Sequence, residues 1–284
     1  MDNITIPPSY NYIGAFLTFR CNYRCSYCIN NFAHGQIRTS EASGREWVEG
    51  LNRIVSRDDL PVSLQGGEPS LHKDFIYIIN NIRPELKLDI LTNLQFDVKD
   101  FVRQVDSRRI KRDSPYASMR VSFHPEVMDL GELTKKVLFM QDHGFHIGIW
   151  GVLHPKHRTS VLDAQEKCRK VGIDFRTKEF LGYHDGQLYG EYKYTDACLL
   201  QGRSKVLCKG TELLIAPDLN VYRCHGDLYA SRASVGNLLD NGFNIQSDYL
   251  PCDNYGFCNP CDVKVKTNRF QVFGHTSVDI KPIS

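Results

Sequence analysis

Short apolar runs rich in β-branched and aromatic residues alternate with helix-compatible segments over residues 12–180. The strand-like runs are Tyr12–Phe19, Pro61–Leu64, Leu88–Leu91, Met119–Phe123, Phe145–Leu153 and Ile173–Phe175. The helical segments between them are Glu41–Ser56, Lys73–Ile82, Asp97–Val105, Leu130–Asp142 and Ser160–Lys170. Such alternation predicts parallel strands joined by crossover helices. Because a complete barrel of this kind needs eight strands, the pattern favours an α/β fold with a partial barrel or a doubly wound sheet.

Composition narrows the class of protein. The chain has 284 residues, of which 42% are hydrophobic, and its net charge is +2. It can therefore form one large hydrophobic core or two smaller ones. With so small a net charge, no strong electrostatic attraction to nucleic acid or to a membrane is expected. We find no signal-peptide pattern and no apolar run near the ~20 residues that span a bilayer. The ten cysteines are thus expected in a reducing cytoplasm, where clustered thiols more often bind metal than form disulfides.

A dense cysteine loop follows the first predicted strand. Its sequence is Cys-Asn-Tyr-Arg-Cys-Ser-Tyr-Cys, with thiols at Cys21, Cys25 and Cys28. Three thiolates on one short loop can ligate three irons of a cubic [4Fe–4S] cluster and leave the fourth iron open. A zinc site with His34 as the fourth ligand is the alternative.

The second predicted strand ends in a glycine pair followed by an acid. The run is Gln-Gly-Gly-Glu-Pro, and it contains Gly66, Gly67, Glu68 and Pro69. Paired glycines let polar atoms of a ligand approach bare backbone. The glutamate adds an acceptor for an ammonium group. Placed after the cysteine loop, this run predicts a binding site at the ends of the first two strands.

Together, the two motifs resemble the radical S-adenosylmethionine (SAM) superfamily. That family has Cys-x3-Cys-x2-Cys after its first strand, an aromatic residue before the last cysteine (here Tyr27), and a Gly-Gly-Glu-Pro run (here 66–69). The resemblance covers residues 12–180 and implies a partial (β/α)6 TIM-like barrel. It also implies a [4Fe–4S] cluster on Cys21, Cys25 and Cys28, whose open iron is chelated by SAM. One electron then cleaves SAM to a 5′-deoxyadenosyl radical that removes a hydrogen atom from the substrate.

The resemblance also implies further SAM contacts. Gly66, Gly67 and Glu68 would line the methionine end, with Tyr27 and Pro69 beside them. Other candidates lie at the ends of later strands, namely Asn93, Ser122 and Val152. The alternative for these three is ordinary filling of the barrel interior.

A second group of cysteines occupies the C-terminal part of the chain. Cys208 and Cys224 flank a predicted hairpin, formed by Thr211–Ala216 and Val221–Cys224, and Cys258-x2-Cys261 follows. Four such thiolates can hold an iron–sulfur cluster or zinc. The surrounding sequence resembles the SPASM extension or its shorter twitch form, which implies a small α+β domain with one auxiliary [4Fe–4S] cluster. We therefore predict a tail over 1–11, a radical SAM barrel over 12–185 and an auxiliary domain over 186–284.

Two details of this region stay open. The family hairpin usually turns on glycine, whereas this turn has Asp-Leu-Asn, and Asn220 is expected to supply the left-handed conformation. Cys168 and Cys198 are interpreted as structural. Cys252 has three interpretations: a replacement ligand, an idle thiol, or a hydrogen-atom donor that would make the enzyme an epimerase.

The substrate is the least constrained prediction. Peptide-modifying relatives often carry a recognition domain ahead of the barrel, and only twenty residues precede Cys21. We therefore expect a polar small molecule, such as a sugar or aminocyclitol, that is oxidised or epimerised. His124, His154, Arg176 and His184 are candidate bases at the barrel mouth. The expected electron donor is a flavodoxin or ferredoxin. The alternatives are a peptide-modifying enzyme that forms a crosslink or a D-residue, and a structural zinc protein.

Overall fold

The computed structural model describes residues 2–31, 40–57, 59–268 and 270–283. The strands of the described residues are β1 (Ile4–Thr5), β2 (Ile13–Thr18), β3 (Ile54–Val55), β4 (Val62–Gly66), β5 (Leu88–Thr92), β6 (Met119–Phe123), β7 (Ile147–Leu153), β8 (Phe175–Glu179), β9 (Gly182–His184), β10 (Gln187–Tyr189), β11 (Ser204–Gly210), β12 (Leu213–Ile215), β13 (Asn220–Tyr222), β14 (Gly236–Asn237), β15 (Leu250–Tyr255) and β16 (Val278–Pro282). The α-helices are α1 (Gly44–Asn52), α2 (Phe75–Asn81), α3 (Val98–Gln104), α4 (Leu130–Asp142), α5 (Arg158–Lys170), α6 (His225–Ala230) and α7 (Pro260–Val263). Short 3-10 helices cover Ile29–Asn31, Pro69–Leu71, Ser107–Arg109 and Pro155–His157.

The main sheet confirms the predicted α/β architecture. Its strand order is β14-β13-β12-β2-β4-β5-β6-β7-β8. From β2 to β8 every neighbouring pair is parallel. One helix from α1 to α5 follows each of the first five of these strands and leads into the next. The six parallel strands therefore form a partial barrel, and the described strands do not close into a ring.

Burial explains why the parallel strands could be predicted from the sequence. All six residues of β2 are buried, because helices cover one side of the sheet and the barrel interior lies on the other. Strand β6 and helix α4 have the predicted bounds. The last parallel strand was predicted at Ile173–Phe175 but lies at Phe175–Glu179. It carries polar residues because it lies at the edge of the sheet, where β7 is its one partner among the described strands.

The C-terminal part of the chain continues this sheet. The predicted hairpin is confirmed as β12 and β13, which pair antiparallel, and β12 also pairs in parallel with β2. The left-handed residue of its turn is the buried Leu219, with φ 67°, so the expectation that Asn220 takes this conformation is wrong. A separate antiparallel sheet has the order β15-β11-β16. The predicted boundary at residue 185 stays a prediction.

Two further features concern the periphery. The first residues are not a loose tail, because β1 pairs with β3 and both Ile4 and Ile6 are buried. In the part of the chain that the structure describes, each helix is too short or too polar to cross a bilayer.

A buried network of ion pairs lies at the amino-terminal ends of the parallel strands, and it predicts a residue on which the free energy of unfolding depends. Asp89 is fully buried and accepts from Arg112 Nε at 2.9 Å and from Arg120 Nη2 at 3.2 Å. Asp89→Asn would leave the two guanidinium groups without their shared carboxylate, so we expect a loss of about 3–5 kcal/mol in the free energy of unfolding. Urea denaturation measures it. The control, Glu166→Gln, breaks the exposed pair with Lys170 and should leave the midpoint unchanged; equal midpoints for both variants would refute the prediction.

Candidate functional site

A cavity of about 1700 Å³ lies at the carboxyl ends of the parallel strands. Parallel α/β folds place their sites at this end. Most of the predicted cofactor and cluster residues line it, together with one predicted base: Cys21, Cys25, Tyr27, Cys28, Gly66, Gly67, Glu68, Asn93, Ser122, His124, Val152 and Cys261. The structure therefore brings the two front motifs and one residue of the rear group to a single space.

The cysteine loop is anchored to the end of β6 by side-chain contacts. The backbone N–H and the hydroxyl of Ser26 donate to the Glu126 carboxylate at 2.7 and 2.9 Å. The Tyr27 hydroxyl lies 3.1 Å from His124 Nδ1, and the Tyr27 ring stacks on His154 with centroids 5.0 Å apart. These contacts orient the cysteine loop against the ends of β6 and β7.

The loop thiols fit a cluster that binds through thiolates. All three are free, and Cys25 and Cys28 are partly buried. Burial, followed by the negative charges of Cys28 and Glu126, raises the pKa of Cys25 to about 12. A coordinated metal deprotonates a thiol outright and removes this cost. Within the described ranges, no three His, Cys, Asp or Glu side chains are placed to ligate a single metal ion; His34, the zinc alternative, lies outside those ranges.

The glycine pair has a structural role that the sequence did not reveal. Gly67 N–H donates to Thr18 O and Glu68 N–H donates to Arg20 O, both at 2.8 Å. A Cβ at Gly66 would lie 2.0 Å from Thr18 O, and one at Gly67 would lie 2.2 Å from Arg20 O. The glycines are thus required where the end of β4 packs against the chain that leads into the cysteine loop.

Glu68 joins the ends of β4 and β5. Its buried carboxylate accepts from Thr92 Oγ1 and Ser70 Oγ at 2.7 Å and from Asn93 N at 2.6 Å. Burial raises the pKa of Glu68, although these donors act to lower it. Asn93 in turn donates from Nδ2 to Asn22 Oδ1 at 2.6 Å. The predicted role of Glu68 as an ammonium acceptor stays a prediction, while its role as a brace follows from these contacts. Pro69 is buried and begins a 3-10 helix.

Most of the predicted bases do not reach the cavity. His124 lines it, and burial lowers the pKa of its imidazole. His154 is buried among rings, accepts from Lys156 N at 3.2 Å and does not line the cavity. Arg176 donates to Asp174 at 2.9 Å and to Pro115 O, also outside the cavity. His184 does not line the cavity either, and the assignment of these three residues as bases stays a prediction.

One candidate base was missed. His225 lines the cavity, and its Nδ1 lies 2.8 Å from the buried carboxylate of Asp262. A carboxylate that orients one ring nitrogen leaves the other for proton transfer. The sequence offered one signal for this pair, which is its position beside the rear cysteines: His225 directly follows Cys224, and Asp262 directly follows Cys261.

Five of the rear thiols share one apolar cluster at the antiparallel sheet. Cys198 and Cys208 are buried members of the cluster, and Cys224, Cys252 and Cys258 are partly buried against it. Because β11 and β15 pair Val206 with Cys252 and Cys208 with Leu250, the side chains of Cys208 and Cys252 lie diagonally on one face of the sheet. Cys252 does not line the cavity, which argues against the hydrogen-donor interpretation. Because Cys198 is interpreted as structural, five thiols remain as candidates for the four positions of an auxiliary cluster: Cys208, Cys224, Cys252, Cys258 and Cys261.

This arrangement makes a prediction for Cys252. In a chain that already lacks the loop thiols, Cys252→Ala should lower the iron content below the about four atoms of one cluster. Colorimetric iron and sulfide assays after anaerobic reconstitution measure this. The control is Cys168→Ala, a buried thiol in α5. Unchanged iron in the Cys252 variant would leave Cys208, Cys224, Cys258 and Cys261 as the ligands.

Short contacts connect the two thiol regions. The Tyr229 hydroxyl donates to Asn30 Oδ1 at 2.7 Å, and Asn30 Nδ2 donates to Gly66 O at 3.1 Å. Asn259 Nδ2 donates to Ile29 O at 3.1 Å. The chain after Cys28 is therefore tied both to the glycine pair and to the segments that carry the rear thiols.

The comparisons with known proteins agree with this geometry. The model of the radical SAM superfamily matches residues 16–111. These residues form a radical SAM domain. Within the domain lie the cysteine loop, the Gly-Gly-Glu-Pro run and the brace formed by Glu68. A [4Fe–4S] cluster and SAM are the cofactors of that family.

Individual relatives are distant. The GTP 3′,8-cyclase of Nautilia profundicola is 27% identical over 60% of this chain and 56% of its own length, so the match spans about half of that relative. Streptococcus suis SuiB superposes with a TM-score of 0.55 at 16% identity, covering 82% of this chain and 65% of its own. The enzyme anSMEcpe with bound AdoMet and the Kp18Cys peptide gives 0.53 at 14%, covering 84% and 78%. The two structures support the fold alone.

Proposed function

We propose that this chain generates a 5′-deoxyadenosyl radical from SAM and removes a hydrogen atom from a polar small molecule held in the cavity, giving oxidation or epimerisation. The observation that carries the proposal is the shared cavity, which is lined by the cysteine loop, the Gly-Gly-Glu run and His225. A [4Fe–4S] cluster on Cys21, Cys25 and Cys28 would supply the electron that cleaves SAM. A flavodoxin or ferredoxin is the proposed source of that electron.

The chain's own residues position and protect this chemistry. Glu126 and His124 hold the cysteine loop against β6, and Glu68 fixes the neighbouring strand ends. During oxidation of an alcohol, His225 would accept the hydroxyl proton from the substrate. The rear thiols would hold one auxiliary [4Fe–4S] cluster, which would take up or relay the electron that the substrate gives up.

The substrate class is inferred from the similar proteins. The similar cyclase is named for a reaction of GTP, a small polar molecule, and this favours a small substrate. The peptide in the anSMEcpe structure belongs to a protein that shares only the fold. A peptide substrate is therefore the alternative.

Substrate-dependent SAM cleavage tests the proposal. The reconstituted protein is incubated anaerobically with SAM, a reductant and either a panel of sugars, aminocyclitols and nucleotides or a panel of short peptides. We expect a small molecule from the first panel to increase 5′-deoxyadenosine formation, and a deuterium at its reacting carbon to appear in that product. Stimulation by peptides alone, with deuterium transfer from a peptide, would refute the small-molecule assignment.

A further inference from the structure

Positive charge is concentrated on the cavity wall formed by β8 and the chain after α7. Lys178 lies near the end of β8, and Lys264 and Lys266 follow α7; all three line the cavity. Lys264 and Lys266 are two positions apart in an extended segment that bridges to Tyr192 and His275. Residues with this spacing point to the same side of an extended chain. One short segment therefore presents two ammonium groups beside the third.

The three lysines differ in their partners. Lys266 donates to the buried Glu212 at 2.6 Å, and Lys264 pairs with Glu179. Lys178 makes no hydrogen bond or ion pair with the described residues. The wall thus holds one cation whose counter-charge the described part of the chain does not provide.

The charged groups nearest to Lys178 are mostly positive. Desolvation, together with the positive charges of Arg120, Lys264 and Lys266, lowers the pKa of Lys178 to about 8, and only the nearby Cys261 thiol acts in the opposite direction. Arg120 is already bound to Asp89. Lys178 itself is exposed near the end of β8, so its ammonium group is open to a ligand in the cavity, and its positive neighbours favour a ligand that is negatively charged.

The N–H donors of these lysines that make no bond within the described chain are suited to a phosphoryl group. An ammonium carries three N–H donors, so Lys178 has three free and Lys264 has two after its bond to Glu179. Phosphate oxygens accept several charge-assisted hydrogen bonds, and lysine is a common partner for them. We propose that Lys178, Lys264 and Lys266 form a subsite for a phosphoryl group of the substrate. This inference rests on the proposed function and narrows its polar small molecule to one that carries phosphate.

Pyrophosphate binding tests the subsite. Inorganic pyrophosphate is titrated into the reconstituted protein by isothermal calorimetry at constant ionic strength. We expect Lys178→Gln and Lys264→Gln each to weaken binding about tenfold or more, and Lys178→Arg to stay within about threefold of the unaltered protein. The matched control is Lys135→Gln, an exposed lysine paired with Glu132 on α4, which should bind normally. Iron and sulfide contents are measured on the same samples.

Three results would overturn the subsite. The first is that the unaltered protein does not bind pyrophosphate at millimolar concentration. The second is that both glutamine variants bind it normally. The third is that binding is lost only in variants that have also lost iron. The last would mean that the lysines serve the Cys261 thiolate instead of a substrate. Failure of the proposed function is distinguishable, because it appears as absence of 5′-deoxyadenosine in the unaltered protein, whatever its pyrophosphate binding.

Discussion

Replacement of Cys21, Cys25 and Cys28 by alanine together is expected to abolish 5′-deoxyadenosine formation from SAM. The triple variant removes every thiol of the loop, so no ligand for the first cluster remains there. Iron should fall from about eight to about four atoms per chain, because the rear group is unaffected. Liquid chromatography of the reaction products and an iron assay on the same samples give both values.

The control for this variant keeps all the loop thiols. Cys168 is buried in α5 and does not line the cavity, so Cys168→Ala should keep both its iron and its SAM cleavage. A triple variant that still forms 5′-deoxyadenosine at the unaltered rate would place the cluster elsewhere. A triple variant with no iron at all would mean that the rear thiols hold no cluster of their own.

Gly67→Ala is expected to give the second large effect. The added Cβ would lie 2.2 Å from Arg20 O and 2.6 Å from Phe19 O. Both are backbone atoms, so relief requires the chain leading into the cysteine loop to move. We expect a loss of about 3 kcal/mol in the free energy of unfolding, with SAM binding lost as well. Urea denaturation and SAM titration of the reconstituted protein measure the two effects.

The matched control is a glycine with open space around it. A Cβ at Gly202 would meet nothing within 4 Å, so Gly202→Ala should keep the denaturation midpoint and the SAM affinity. If Gly67→Ala behaves like this control, the close approach of β4 to the loop does not exist in solution, and the glycines act only through their ligand contacts.

The fold could largely be predicted because burial leaves a clear pattern in sequence. Strands covered on both faces appear as continuous apolar runs, as in the fully buried β2. Strand β6 instead alternates apolar residues with Arg120 and Ser122, and its bounds were also predicted as observed. Strand β8 was displaced because an edge strand carries polar residues, such as Arg176 and Lys178, that resemble a loop. The left-handed Leu219 was missed because burial of its side chain overrides the preference for glycine or asparagine at such a position.

The site was predictable in its motifs but not in its partners. Sequence spacing groups the loop thiols and the glycine pair, since each lies on one short segment. It does not show that Glu68 is saturated by neighbouring donors, or that His154 lies behind Tyr27 instead of in the cavity. Likewise, Lys178 and Lys264 meet only through the packing of segments far apart in the chain.

The most direct measurement is anaerobic reconstitution of the unaltered protein, followed by assay of metal, sulfide and SAM cleavage under dithionite. We expect about eight iron and eight sulfide atoms per chain, together with 5′-deoxyadenosine formed from SAM. Bound zinc without visible absorbance, and no 5′-deoxyadenosine, would contradict it.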